Sequence, residues 1–386
     1  MDFAFTQEQE LIQKEVRNFC KKELTPEYVR WMDENCDFVP DELWDKICDL
    51  GFFAASIPEE YGGEGLDLVT SMCMTEEIAT ASVAVALGMG ASNLGASVIH
   101  NLGTEQEKKE YLPKLAKGKL KFALGLTEPG GGTDILGAIQ TTAVDKGDHW
   151  LINGQKVFIT AAHVADYITT VAITDPNASR HNGLSVFLVP RDSQGLSTRL
   201  IPKVGCHAAG TNEVFYDNVM VPKDKLIGTL NNGWNELLMS LNNERIGTAM
   251  LSLGIAKAAF QEASEYAKQR HAFGGPIARF QILQHYLADI AIEIENARNL
   301  IYKCAWLSDS KKPFQVEACM AKVVAARASE KAAIWGMEIL GGYGYTMEYD
   351  MQRHFRDYKQ MVFSPISDEM AKNMIMQFKG FPKSWA

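Results

Sequence analysis

The chain has 386 residues, 46% hydrophobic and 22% charged, which fits a folded globular protein of two or three domains and leaves little room for long disorder. Its net charge of −10 argues against general nucleic-acid binding, which needs a basic surface. Seven cysteines, odd in number, scattered and never spaced C-x-x-C, argue against a disulfide framework and a zinc site and are expected to be reduced. The segment 81–91 is small and apolar but too short to span a bilayer, so no membrane insertion is expected. The acidic start from Met1 to Glu10 lacks both a basic n-region and an Arg-rich face, so the expected location is cytoplasmic.

The first third carries helical signals. Leu11, Ile12, Val16 and Phe19 recur at three- and four-residue steps within 7–23, and Pro40 with the following acids opens a second helix. Residues 58–65 read as a turn, and 104–117 as an amphipathic helix. From about 121 the period falls to two. Asn153-Gly154 between strand-like runs predicts a hairpin, and 167–174, 184–189 and 213–221 add strands rich in Val, Ile, Thr and aromatics. After Gly233 the helical period returns in 234–241, 246–268, 280–309 and 314–340. Gly341-Gly342-Tyr343-Gly344 then breaks it before a final helical segment. The expected fold class is α+β, with an N-terminal helical domain (1–121), a middle β domain (122–232) and a C-terminal four-helix-bundle domain (233–386).

Two separated motifs bear on chemistry. In Leu126-Thr127-Glu128-Pro129-Gly130-Gly131-Gly132-Thr133-Asp134 the glycines permit close backbone approach to a flat or phosphorylated ligand, and the threonines add hydroxyls. On spacing alone a plain connecting turn is the commoner outcome, since this is not G-x-G-x-x-G after a strand. The second motif is Asn242-Asn243-Glu244-Arg245. His163, His207 and His271 have no partners at metal-ligand spacing and read as surface or core histidines, so no metal is expected.

Taken together with Lys156-Val157-Phe158-Ile159-Thr160, Lys203-Val204-Gly205, Asp217-Asn218-Val219-Met220-Val221-Pro222, Arg270-His271-Ala272-Phe273-Gly274 and Gln281, the loop resembles the acyl-CoA dehydrogenase family in order and spacing, from Phe3 to about Ile375. The resemblance implies FAD as cofactor, an acyl-CoA substrate, an electron-transferring flavoprotein as partner and a homotetramer. It implies that Leu126 and Thr127 line the isoalloxazine ring and that Gly132 and Thr133 face the cofactor and the CoA thioester arm. Phe158 and Thr160 cover the other side of the flavin, with Phe158 standing where the family usually has Trp. Arg270, Phe273 and Gln281 match residues that reach the adenosine diphosphate of FAD from a neighbouring subunit. Gly341, Gly342, Ser367 and Glu369 fit the same channel. Glu338 stands where relatives commonly have Gln; beside a pyrophosphate its carboxylate is unfavourable unless turned towards the ribose or solvent.

The base is the main departure. Many relatives place a glutamate about nine residues after an Arg-Asp pair, and after Arg356-Asp357 that position is Pro365, which cannot accept a proton. A smaller set carries the base in a Glu-Arg pair on the central helix, which points to Glu244; Asp368 and Glu369 are the competitors. Asn242, Arg245, Thr133 and Ile366 are the implied substrate contacts, with Ile366 supplying the N–H that proline lacks. The resemblance therefore implies α,β-dehydrogenation of an acyl-CoA to a 2-enoyl-CoA, or the reverse enoyl-CoA reduction, as in carnitine-pathway relatives with a similar Ser367-Asp368-Glu369-Met370 stretch. A flavin-bound assembly or nucleic-acid-binding protein is the third reading, disfavoured by the acidity. Asn93 and the small residues Gly88, Gly90, Ala91, Ser92, Gly95 and Ala96 fall where relatives line the acyl pocket. They imply room for a branched, cyclic or aromatic acyl group, and a close helix contact is the alternative. No arginine lies between Thr75 and Lys108, so a distal carboxylate on the substrate is not indicated there.

Overall fold

The computed structural model describes residues 4–179 and 181–383. The N-terminal part is helical: α1 (Gln7–Glu23), α2 (Pro26–Asn35), α3 (Asp41–Asp49), α4 (Leu68–Ala81), α5 (Val83–Leu102) and α6 (Glu105–Ala116). Most of these starts are written locally. Thr6 with Gln9 and Thr104 with Glu107 form capping boxes, and Thr25, Asp67 and Ser82 cap the first free N–H groups of their helices.

The middle part holds β1 (Phe122–Gly125), the single turn α7 (Ile135–Ala138), β2 (Thr142–Asp145), β3 (His149–Thr160), β4 (Tyr167–Ile173), β5 (Leu184–Pro190), β6 (Leu196–Leu200), β7 (Thr211–Pro222) and β8 (Leu226–Ile227). They form one mixed sheet ordered β6-β7-β3-β2-β4-β5-β8, with β1 added parallel to β4. The hairpin predicted at Asn153-Gly154 does not exist. β3 runs straight through it, and the pair forms an irregularity in the ladder to β7, where Gly154 adopts φ +151 against Thr141. The β2–β3 turn lies earlier, at Gly147, whose φ is +93.

The last part comprises α8 (Gly233–Gln269), a two-residue ribbon of β9 (His271–Ala272) and β10 (Gly275–Pro276), then α9 (Gln281–Asp309), α10 (Gln315–Leu340), α11 (Met351–Phe363) and α12 (Asp368–Phe378). The two helices expected at 234–241 and 246–268 are one 37-residue helix. The polar run 242–245 interrupts the apolar period without breaking the backbone, because Ile246, Ala249 and Met250 resume core contact at once.

The short apolar segment at 81–91 is part of α5, which continues to Leu102 and is long and apolar enough to cross a membrane by length and composition. Its apolar side packs on protein instead: Val85 and Met89 share a core with Leu251 and Ile255 of α8, and Val98 and Ile99 share one with Leu237 and Leu241. Those pairings make α5 and α8 antiparallel. Buried charges complete the assembly. Glu76 of α4 accepts from Lys257 (2.7 Å), Arg298 (3.2 Å) and Tyr302 (2.6 Å), joining α4, α8 and α9. The Arg356-Asp357 pair joins all three parts, Arg356 to Asp33 of α2 and Asp357 to the Cys206 N–H at 2.6 Å.

Candidate active site

β1 leads directly into the Gly-rich loop, and two buried groups fix the loop's shape. Lys156 of β3, fully enclosed, donates to the Leu126 carbonyl at 3.1 Å and to Glu128 at 2.8 Å. Glu128 also accepts the Gln140 and Thr141 N–H groups at 2.7 and 3.0 Å. Desolvation pulls the Lys156 ammonium down to about 8 despite Glu128. For Glu128 desolvation is the larger single influence and acts upwards, but Lys156 and the donated hydrogen bonds outweigh it and hold the carboxyl below its usual range.

Pinned this way, Leu126 is buried and Thr127 half-buried, while Gly132 and Thr133 are exposed. A second ladder irregularity lies between Lys156 and Ile159, freeing the Val157 N–H to bond the Thr127 carbonyl at 2.9 Å. It turns Phe158 to φ +61, and the ring stands 65% exposed beside half-buried Thr160. A bulky residue in the left-handed region carries a strain cost of order 1–3 kcal/mol, a feature that clusters at ligand sites. An exposed aromatic beside an open glycine loop suits a flat cofactor such as FAD, and the residues present fit it.

Leu126 of this loop and Leu237 and Leu241 of α8 belong to one core cluster. Ser240 faces α5, its hydroxyl 3.3 Å from that of Ser97. One turn on comes Glu244, placed by the helical period on the same side of α8 as Ser240. A methyl group added at Gly90 of α5 or at Gly247 of α8 meets nothing within 4 Å. Glu244 is half-buried by surface exposure, yet so surrounded by protein that desolvation raises its carboxyl to about 7, opposed by Arg245. Another carboxyl raised to about 7, Glu262, lies roughly 27 Å further along α8 and accepts the Asp350 N–H, away from the loop.

The neighbouring side chains have separate duties. Arg245 is buried, bonds Asn242 through Nη1, and leaves Nε without an acceptor among the described residues. Of the small residues on α5, Gly88 packs on Phe38 and Gly95 on Phe122, and Ser92 accepts the Phe122 N–H; these three serve protein contacts. The segment from Ser364 to Ser367 links α11 to α12. Of the two competitors for the base, Asp368 is buried against Lys322 at 2.6 Å, and Glu369 is exposed and paired with Lys372 at 3.7 Å. The Ser367 hydroxyl is used within the chain, capping α12 at the Met370 N–H. Ile366 packs on Cys319 and Val323 of α10.

The remaining residues gather elsewhere, at the far end of α8. A cavity of about 500 Å³ is lined by Tyr266, Arg270, Ile277, Gly342 and Tyr343 among others, and Arg270 lies 5.7 Å from the Tyr343 ring centre. Phe273 is 88% exposed, and Gln281, Glu338 and Gly341 are also exposed. Arg270 stands roughly 39 Å along the helix from Glu244.

The sequence reading missed Lys156, Glu128 and Lys322 as organising residues. A lysine between apolar strand neighbours in Gln155-Lys156-Val157, and another inside Ala321-Lys322-Val323, were the available signals, because such positions bury a charge only with a partner.

Comparison with known proteins bears on this geometry. Residues 6–119 match Acyl-CoA dehydrogenase, N-terminal domain, residues 123–219 its middle domain and residues 231–378 its C-terminal domain. The chain is 41% identical over 362 residues to a glutaryl-CoA dehydrogenase of Desulfococcus multivorans, covering 92% of each. It is 38% identical over 355 residues to the caffeyl-CoA reductase-Etf complex subunit CarC of Acetobacterium woodii, covering 92% of this chain and 93% of that one. A solved glutaryl-coenzyme A dehydrogenase in complex with glutaryl-CoA superposes with a TM-score of 0.95 at 39% identity, covering 99% and 98%. The glycine loop, its strand cover and the helical third part are therefore those of an FAD-dependent oxidoreductase, and the chain belongs to the acyl-CoA dehydrogenase family.

Proposed function

We propose that this protein catalyses α,β-dehydrogenation of an acyl-CoA thioester to the 2-enoyl-CoA, with Glu244 as the base and an electron-transferring flavoprotein as electron acceptor. The observation that carries the reading is a carboxyl poised near neutrality on α8, a helix that shares a core cluster with Leu126 of the loop, while Pro365 fills the other family position. A general base works best when its pKa lies near the operating pH. Bound FAD supplies the acceptor for the β-hydrogen and its electron pair. Glu244 takes the α-proton, and charge developing on the thioester oxygen requires a donor. Ile366 offers one, since its N–H meets no acceptor among the described residues. Thr133 and Asn242 stand along the approach to the loop and to Glu244. Arg270, Phe273 and Gln281 serve the adenosine end of FAD in a neighbouring copy, within a cytoplasmic homotetramer.

The space at Gly90 and Gly247 supports a wide acyl group, branched, cyclic or aromatic. A reductive direction is the second reading. It is favoured by the same carboxyl, partly protonated at pH 7 and able to return the proton, and by relatives named caffeyl-CoA reductase and 3-(aryl)acrylate reductase. Anaerobic bleaching of the flavin by saturated linear, branched, cyclic, aromatic and glutaryl thioesters, set against reoxidation by the matching enoyl-CoAs, separates the directions. Glu244→Gln is expected to keep its FAD and slow bleaching by about 10²- to 10⁴-fold; bleaching at the parental rate rejects Glu244.

A further inference from the structure

Lys322 of α10 is 1% exposed, and its ammonium donates to the Val362 carbonyl and to Asp368, each at 2.6 Å. Val362 lies in the last turn of α11 and Asp368 opens α12, so this one side chain ties both ends of the four-residue connection from Ser364 to Ser367. Enclosing two charges is an expensive way to hold a turn, since well-packed apolar residues often serve as well or better. A buried pair that grips both ends of a loop gives it one position. That loop carries Ile366, whose side chain sits against Cys319 and Val323, the α10 residues flanking Lys322 by a turn or less. Arg245, next to the proposed base, is near enough to Cys319 to draw its thiol downwards against the dominant effect of burial. The loop and the Glu244 segment thus converge on the same stretch of α10, and the Ile366 N–H is unclaimed by the described residues.

We propose that Lys322, through its pairing with Asp368, is a positioning residue that sets the Ile366 N–H against the thioester carbonyl oxygen. The proposal rests on the acyl-CoA reading above. Asp368, satisfied by Lys322, acts through the loop and not as a base.

The test compares Lys322→Met, Asp368→Leu and the double variant, all FAD-loaded, with Glu244→Gln. The double variant removes both charges and so keeps the test valid where a single change strands its partner. The probe is 4-aminocinnamoyl-CoA, whose absorption moves to the red when its carbonyl is hydrogen-bonded. Parent and Glu244→Gln are expected to show the full red shift on binding. The double variant is expected to lose most of it, with kcat down about 10- to 100-fold and KM within about 3-fold, as for a displaced carbonyl donor. An undiminished shift and kcat in the double variant overturn the proposal. Loss of the shift there, together with parental turnover by Glu244→Gln, upholds the role of Lys322 and rejects the base.

Discussion

Glu244 links folding to chemistry through its proton. Its carboxyl is raised from 4.5 to about 7 by desolvation, so the folded state holds the proton more tightly than the unfolded chain between those values. The stabilisation is complete below about pH 4.5 and is lost as pH rises through 7. Glu244→Gln is therefore expected to melt higher than the parent at pH 8, by up to about 3 kcal/mol, and at the same temperature near pH 4. Thermal unfolding at the two pH values checks this. Acyl-CoA oxidation should rise with pH to a plateau above about 7, and a rate flat from pH 5.5 to 8.5 contradicts a base of that acidity. The residue itself was legible, because a Glu-Arg pair beside a missing loop glutamate is visible in one dimension. Its surroundings were not: nothing in Asn242-Asn243-Glu244 announces the desolvation that raises the carboxyl, which depends on how α8 packs in the folded chain.

Among elements, β3 departs furthest from its sequence pattern. Asn153-Gly154 is a strong turn signal in isolation, but the strand is held on both sides by β2 and β7, and the pair is absorbed as an irregularity. The second irregularity, at Val157-Phe158, turns the Phe158 ring outwards and left no mark in the alternation of apolar residues. Lys156 governs this element and the loop together. Lys156→Met leaves Glu128 buried and unpaired, and a loss of about 3–5 kcal/mol is expected. Converting Glu128 to Leu as well should restore much of that stability while leaving FAD affinity impaired, since the Leu126 carbonyl stays untethered; denaturant melts and flavin titration separate the two effects. α8 was read as two helices for a related reason. Its polar run 242–245, which carries the proposed base, interrupts the apolar period without ending the helix, and local patterning misleads at such a run.

At the scale of the whole molecule, helices, strands, then helices could be read from periodicity, because each part keeps one period for about a hundred residues. The pairing order of the sheet, the Glu76 cluster and the Arg356–Asp33 bridge depend on contacts between distant segments and had no local trace. The proposed assembly makes a specific prediction. Glu244→Gln and Arg270→Glu should each be inactive alone, the second through weak FAD binding. When co-expressed, they should recover activity, because one mixed site then combines an intact Glu244 with an intact Arg270 from the other copy. No recovery in isolated mixed oligomers rejects the shared site.

The unbroken run of α8 has a consequence for how this enzyme can vary. Each residue of a helix advances 1.5 Å and rotates about 100°, so the helix acts as a ruler with a fixed phase between the proposed proton acceptor near one end and the proposed nucleotide grip at the other. A single insertion between Ile246 and Lys268 would swing one of the two off its target, whereas surface loops elsewhere tolerate added length. Drift in this lineage is expected to respell the faces of that rod while leaving its length untouched.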